Sequence, residues 1–141
     1  MLSPKAKEIK REWHLIDVDG QILGRVSTSI ANLLMGKGKT YFVRHMDVGD
    51  YVVVVNSKSV KVTGGKEDKK IYYRHSGYPG GFRQQTLKEL RARKSDEIIR
   101  HAVKGMLPQN RLRDKMLARL KIFEGSEHEY MDKFNKKGEE K

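Results

Sequence analysis

Gly38-Lys39-Thr40 ends like a phosphate-binding loop, in which backbone amides and a lysine cradle the phosphates of a nucleotide. Such a loop also needs a glycine five places before Gly38 and a helix directly after it. Position 33 is Leu33, and the segment follows a helical pattern instead of opening one. Nucleotide chemistry is not expected here. What remains is a basic loop, Lys37, Lys39, Arg44 and His45, that either touches a phosphate backbone or is simply solvated. His14, His45, His75, His101 and His128 show no HExxH pair or other zinc spacing, and there is no Gly-x-Ser-x-Gly elbow. Asp47 and Asp50 are the acids best placed for metal or general-base work, because they flank a strand. Asp50 lies at the amino-terminal edge of that strand, whereas ligands of open α/β sheets favour the carboxyl edge. No catalysis, cofactor or metal is expected.

Binding chemistry is better represented. Residues 57–94 carry eleven lysines and arginines against three acids, a patch that includes Lys66, Lys69, Lys70, Arg74 and His75. The glycine-rich run Gly77-Tyr78-Pro79-Gly80-Gly81-Phe82 follows. Its glycines permit close approach of backbone to a partner, and Tyr78 or Phe82 offers a ring on which an unpaired base stacks. Phe82 is expected instead to pin the loop to the protein's own core, and Tyr78 is left open between the two. Between Gln109 and Leu120, an apolar stripe of Leu112, Met116, Leu117 and Leu120 runs beside Arg111, Lys115 and Arg119, with Arg113 further round. A helix of that kind rests one face on a core and lays the other along phosphates. Arg111, Arg113 and Arg119 are therefore expected to face a polyanion.

These groups need a frame, and Tyr51-Val52-Val53-Val54-Val55 supplies its centre. Four valines and a tyrosine without alternation predict a strand buried on both faces. That implies an α/β domain with helices on each side of a mainly parallel sheet; a buried strand of an antiparallel sandwich is the alternative. Trp13 to Val18 reads as the first strand, turned by Asp19-Gly20 into a helix whose Val26, Ile30, Leu33 and Leu34 share one face. Gly36 is placed to end that helix. Short strands are expected over 59–63, 71–75 and 120–123, with a charged loop over 66–70. Thr86-Leu87-Lys88-Glu89 is a capping box opening a short helix, and Ser95 is placed to cap the next one, whose Ile98, Ile99, Ala102, Val103 and Met106 share a face.

The 141 residues suit one domain. Lysine and arginine number 30 against 18 acids, a formal net charge of +12 that a polyanion would neutralise. Without cysteine there is no disulfide or thiolate metal site, which fits a reducing compartment. The charged amino terminus does not read as a signal peptide, and no apolar run is long enough for a membrane span. A cytoplasmic nucleic-acid binder follows, arranged as a basic arm over 1–12, a folded domain over 13–123 and a polar tail over 124–141. A DNA-binding protein, with a recognition helix and usually a dimer, and a nucleotide-dependent enzyme are the rivals. Long loops and an aromatic glycine segment suit irregular RNA better than either.

Several motifs together resemble the bacterial large-subunit ribosomal protein L13 family. They are Trp13 with Ile16-Asp17, Gly24-Arg25, Gly49-Asp50-Tyr51, Val62-Thr63-Gly64, Tyr72-Tyr73 and the Gly77–Gly81 loop. Ala102-Val103-Lys104-Gly105-Met106-Leu107-Pro108 is the most specific, followed by a basic segment and Leu120-Lys121-Ile122-Phe123. The resemblance runs from Trp13 to His128 and is least in the tail. It implies a three-layer α/β fold, a structural role in the ribosome without catalysis, binding to large-subunit ribosomal RNA and early participation in subunit assembly. Neighbouring large-subunit ribosomal proteins are the other implied partners; no membrane and no small-molecule substrate are implied. Carried over by position, the implied RNA contacts are Lys37, Lys39, Arg44, His45, Lys66, Lys69, Lys70, Arg74, His75, Tyr78, Lys104, Arg111, Arg113 and Arg119.

Overall fold

The structure, a computed structural model, describes residues 3–134; the first two residues of the basic arm and the tail beyond 134 lie outside it. Strand β1 (Trp13–Asp17) leads through helix α1 (Leu23–Met35) to β2 (Tyr51–Val55), and a long excursion returns as β5 (Leu120–Ile122). The three strands form one parallel sheet in the order β1-β2-β5, with Trp13 opposite Tyr51 and Val52 opposite Leu120. The α/β class and the central valine strand are as expected. The excursion contains α2 (Lys66–Lys69), β3 (Ile71–His75), β4 (Phe82–Thr86), α3 (Leu87–Arg93), α4 (Ser95–Met106) and α5 (Leu112–Ala118). Strands β3 and β4 pair antiparallel as a separate two-stranded ribbon.

Strand order decides where the helices go. Both crossovers step across the sheet in one direction, and right-handed crossovers then put their helices on the same face. One core accordingly joins Val52 and Val54 to Val26, Ile30 and Leu34 of α1, Ile98, Ile99 and Val103 of α4, and Met116 of α5. Period-two alternation turns Tyr51, Val53 and Val55 to the other face. There the cover is aromatic. Trp13 stacks on Tyr51 at 4.4 Å and on Tyr130 at 5.1 Å, and Phe134 stands edge-on at 6.5 Å. A helical turn over 131–134 carries Phe134, so the last described residues pack against Trp13 on this face.

Two glycines let α1 come close to the start of β2. Gly36 ends α1 in the left-handed region at φ 81°, and its own amide donates to the Asn32 carbonyl. Gly49 has no room for a side chain, since a Cβ would lie 1.7 Å from the Leu34 carbonyl oxygen. The close approach lets the Asp50 amide donate to the Leu33 carbonyl at 3.1 Å.

Local departures from expectation have local causes. Asn56 at φ 62° turns the chain out of β2 into a single turn over Ser57–Ser59, where a strand over 59–63 was expected. Only Lys61 keeps a strand-like bridge, to Ile22. Residues 66–69 close a helical turn instead of a loop. Arg83-Gln84-Gln85 has no β-branched bias, yet pairing with Tyr72-Tyr73-Arg74 makes it a strand. Thr86 caps α3 as expected, its hydroxyl accepting from the Glu89 amide while Glu89 accepts from the Thr86 amide. Ser95 does not cap α4. It is fully buried, and its hydroxyl shares a 2.8 Å hydrogen bond with that of Ser57.

Candidate nucleic-acid interface

Two of the expected contact residues are engaged by the protein itself, Arg119 buried and Lys39 half-buried. Helix α5 stops at Ala118, because Leu120 must enter the sheet beside Val52. Arg119 is thereby drawn inward to 7% exposure, and the continuous Arg111, Lys115, Arg119 stripe is not formed. Its guanidinium donates to the Asp50 and Leu34 carbonyls, at 3.2 and 3.0 Å, and forks onto both carboxylate oxygens of Asp47. Lys39 is likewise engaged: its ammonium lies 2.7 Å from Asp50 Oδ1 and donates to the Lys10 and Val48 carbonyls. The corrections share a cause. The amino-terminal edge of the sheet gathers Asp47 and Asp50, and each buried carboxylate needs cations and donors.

Asp50 completes this cluster. Its carboxylate accepts from the Glu12 amide at 3.1 Å and contacts His14 Nε2 at 2.8 Å. Burial by itself pushes the carboxyl up, but Lys39, His14 and the Glu12 amide outweigh it and hold the group below its ordinary value. Asp50 therefore contributes stability that is fully present above the unfolded value, about 3.9. That contribution is lost as pH falls through the lower folded value. Melting temperatures from pH 7 to pH 2 are expected to fall on the acid side, and Asp50→Asn to melt lower at pH 7 with a flatter acid limb. An unchanged acid limb in the variant would remove Asp50 from the account.

Outside this cluster the remaining expected residues line a surface. On the β3–β4 ribbon Arg74 sits directly opposite Arg83, and neither has an acidic partner among the described residues. Like charges in that register repel, so the pair is suited to an external anion. Tyr72 shares their face, packing edge-on against His101 at 5.0 Å with Lys70 5.4 Å from its ring centre. On the opposite face Tyr73 stacks on Phe82 at 5.7 Å. Phe82 is 54% exposed, not a core pin, and Tyr78 at the ribbon tip is 75% exposed. His75 accepts from the Gly77 amide and shapes that tip. Lys66, Lys69, Lys104 and Arg111 are exposed, as are Lys37, Arg44 and His45; Arg113 is half-buried.

Three depressions take in Arg74 and Arg83, Lys66 and Lys70, and Lys37 and Arg44. A groove of about 570 Å³ is lined by Arg74, Arg83, Gln85 and His101. His101 also lines a cleft of about 620 Å³ with Arg25, Lys66, Lys70 and Met106. Met106 in turn lines a cavity of about 360 Å³ with Lys37, Arg44, Met46 and Met116. The shared residues make one track, from the ribbon past α4 to the loop after α1. Acids near it are occupied: Glu89 by the α3 cap, Glu97 beside Arg93 and Lys94, and Glu67 in a two-pronged pair with Arg91. Burial, then Lys70 and Lys104, hold His101 below its ordinary value and so favour its neutral ring.

Arg25 and Arg83 were not among the expected contacts. Arg83 was legible only through the hairpin register, which sets it opposite Arg74. Arg25 looks, in sequence, like an exposed helix residue, and nothing local places it at a cleft. Among the described residues no group of three His, Asp or Glu could hold a metal, and no helix is long and apolar enough to cross a membrane.

Comparison with known proteins bears on the whole domain. The family model described as ribosomal protein L13 matches residues 11–129. A large ribosomal subunit protein uL13 of Dehalococcoides mccartyi (strain CBDB1) is 56% identical over 124 residues, covering 88% of this chain and 87% of that protein. The protein of the same name from Lawsonia intracellularis is 50% identical over 129 residues, covering 92% and 90%. That of Dictyoglomus thermophilum is 51% identical over 124 residues, covering 88% and 87%. With the match spanning both the sheet and the basic track, this chain belongs to the ribosomal protein L13 family.

Proposed function

We propose that this chain is a structural constituent of the large ribosomal subunit that binds ribosomal RNA along the track from the β3–β4 ribbon to Lys37 and Arg44. The observation that carries the reading is the Arg74–Arg83 pair, two arginines directly opposite each other in the ribbon, neither in an ion pair among the described residues, where Glu89 and Glu97 of the same groove are engaged elsewhere. A phosphate between them replaces repulsion with two charge-assisted hydrogen-bonding partners. Lys66, Lys69 and Lys70 extend the same field, with Lys104 on α4 and Arg111 and Arg113 near the far end. Tyr78 offers a ring to an unpaired base, and His75 holds the turn beneath it. A ligand that touches both ribbon and loop ties separate RNA segments to one folded chain, which supports a role early in subunit assembly. The outward ribbon face, with exposed Ile71, Tyr73 and Phe82, suits a neighbouring large-subunit protein. The working location is the cytoplasmic ribosome.

Titration with protein-free large-subunit ribosomal RNA tests this. Affinity is expected to fall by about 10³–10⁵ between 50 and 200 mM salt if roughly 6–10 phosphates are contacted. Arg74→Gln with Arg83→Gln should lower the log–log salt slope by about two, while the free protein melts no earlier because cross-strand repulsion is relieved. A flat salt response would leave the basic excess as a solubility device only.

A further inference from the structure

We propose that the cleft between α1, α4 and residues 61–70 holds a single unstacked nucleotide of the bound RNA, its base inside and its phosphate on Lys66 and Lys70. The inference rests on the RNA-binding reading and adds a specific subsite to it. Leu23, Val62, Ala102 and Met106 give the cleft apolar walls, while Arg25, Lys66 and Lys70 stand among its polar lining. About 620 Å³ lies within the range of sites that enclose small organic groups, roughly 300–1,000 Å³. Apolar walls with cations beside them match the build of a nucleotide, which joins a flat ring to an anionic phosphate. His101, whose ring both donates and accepts a hydrogen bond when neutral, is placed to meet the polar edge of a base.

The cleft also communicates with its neighbours. It shares His101 with the ribbon groove and Met106 with the methionine-lined cavity, so a strand crossing the surface passes its mouth from either side. A free nucleotide has the same chemistry, and the one loop that resembles a phosphate-binding motif, Gly38-Lys39-Thr40, has Leu33 where its first glycine is needed and does not line this cleft. The continuous track favours a nucleotide within a chain.

Gly105 permits a clean test. It lines the cleft from α4, and a Cβ there would meet nothing within 4 Å. Gly105→Trp fills the space while removing a helix-weakening glycine, and Gly105→Leu gives a graded second point. Both variants, as full-length chains, are expected to melt no earlier than wild type. Their affinity for protein-free large-subunit ribosomal RNA should fall, by roughly tenfold or more for the tryptophan, at an unchanged salt slope. Lys66→Gln with Lys70→Gln should instead lower the slope by about two. Wild-type binding with an unaffected, folded Gly105→Trp overturns the cleft assignment alone. A wild-type chain that fails to bind this RNA overturns the RNA reading and the cleft with it. Adenosine or uridine monophosphate saturating the wild-type cleft at micromolar concentration would mark a free-nucleotide site and overturn the assignment to RNA.

Discussion

Gly49→Ala should cost about 4 kcal/mol or more, lowering the melting temperature by on the order of 10 °C. A Cβ at this position would lie 1.7 Å from the Leu34 carbonyl oxygen and 2.7 Å from an Arg119 guanidinium nitrogen. The first neighbour is backbone at the end of α1 and cannot swing away like a flexible side chain. Relief requires the helix terminus to move off the strand, which breaks the hydrogen bond from the Asp50 amide to the Leu33 carbonyl. The same movement pulls the Leu34 carbonyl away from Arg119. Gly105→Ala is the matched control, since that glycine has open space and stands in a helix, and it should be neutral or stabilising by roughly 1 kcal/mol. Thermal melts of the two variants check the pair. A Gly49→Ala protein that melts with wild type would mean the approach of α1 to β2 is looser than described.

What could be read from the sequence was whatever depends on one segment's own pattern. Tyr51 to Val55 announces a doubly buried strand because its four valines run without a polar alternate, and the stripe of α1 is visible in its spacing. The capping box at Thr86 and the helix end at Gly36 are equally local. Pairings between distant segments were not legible. Arg83-Gln84-Gln85 is a strand only because β3 offers it an edge, so both the ribbon and the exposure of Phe82 went unseen. The covering of the second sheet face by Tyr130 and Phe134 was hidden in a tail whose composition looks polar. Of the fourteen expected contacts, twelve lie outside the ionic cluster at the sheet edge, and Lys39 and Arg119 lie within it. A cation's sequence neighbours do not reveal whether an acid awaits it from the other side of a sheet.

Arg119 carries the other large expected effect, and it concerns stability, not binding. Arg119→Met should destabilise by about 3–5 kcal/mol, the usual cost of leaving a buried charge without its partner. Among the described residues Asp47 would keep only Arg11 as an ionic partner, at 3.7 Å, and the Leu34 and Asp50 carbonyls would lose the Arg119 donor. Arg119→Lys should recover little of this. A compact ammonium cannot serve both Asp47 oxygens and two carbonyls that a planar guanidinium reaches together. Asp47→Asn combined with Arg119→Met should fall short of the sum of the single effects, because the two groups stabilise each other in one network. Arg111→Gln with Arg113→Gln should shift stability by no more than about 0.5 kcal/mol, since neither forms an ion pair among the described residues. Their effect belongs to RNA affinity and its salt slope. Arg119 variants, measured well below their melting temperatures, should keep the wild-type slope. Denaturation curves and RNA titrations on the same proteins separate the roles. An Arg119→Met chain that melts normally but loses one unit of salt slope would return this arginine to the RNA surface.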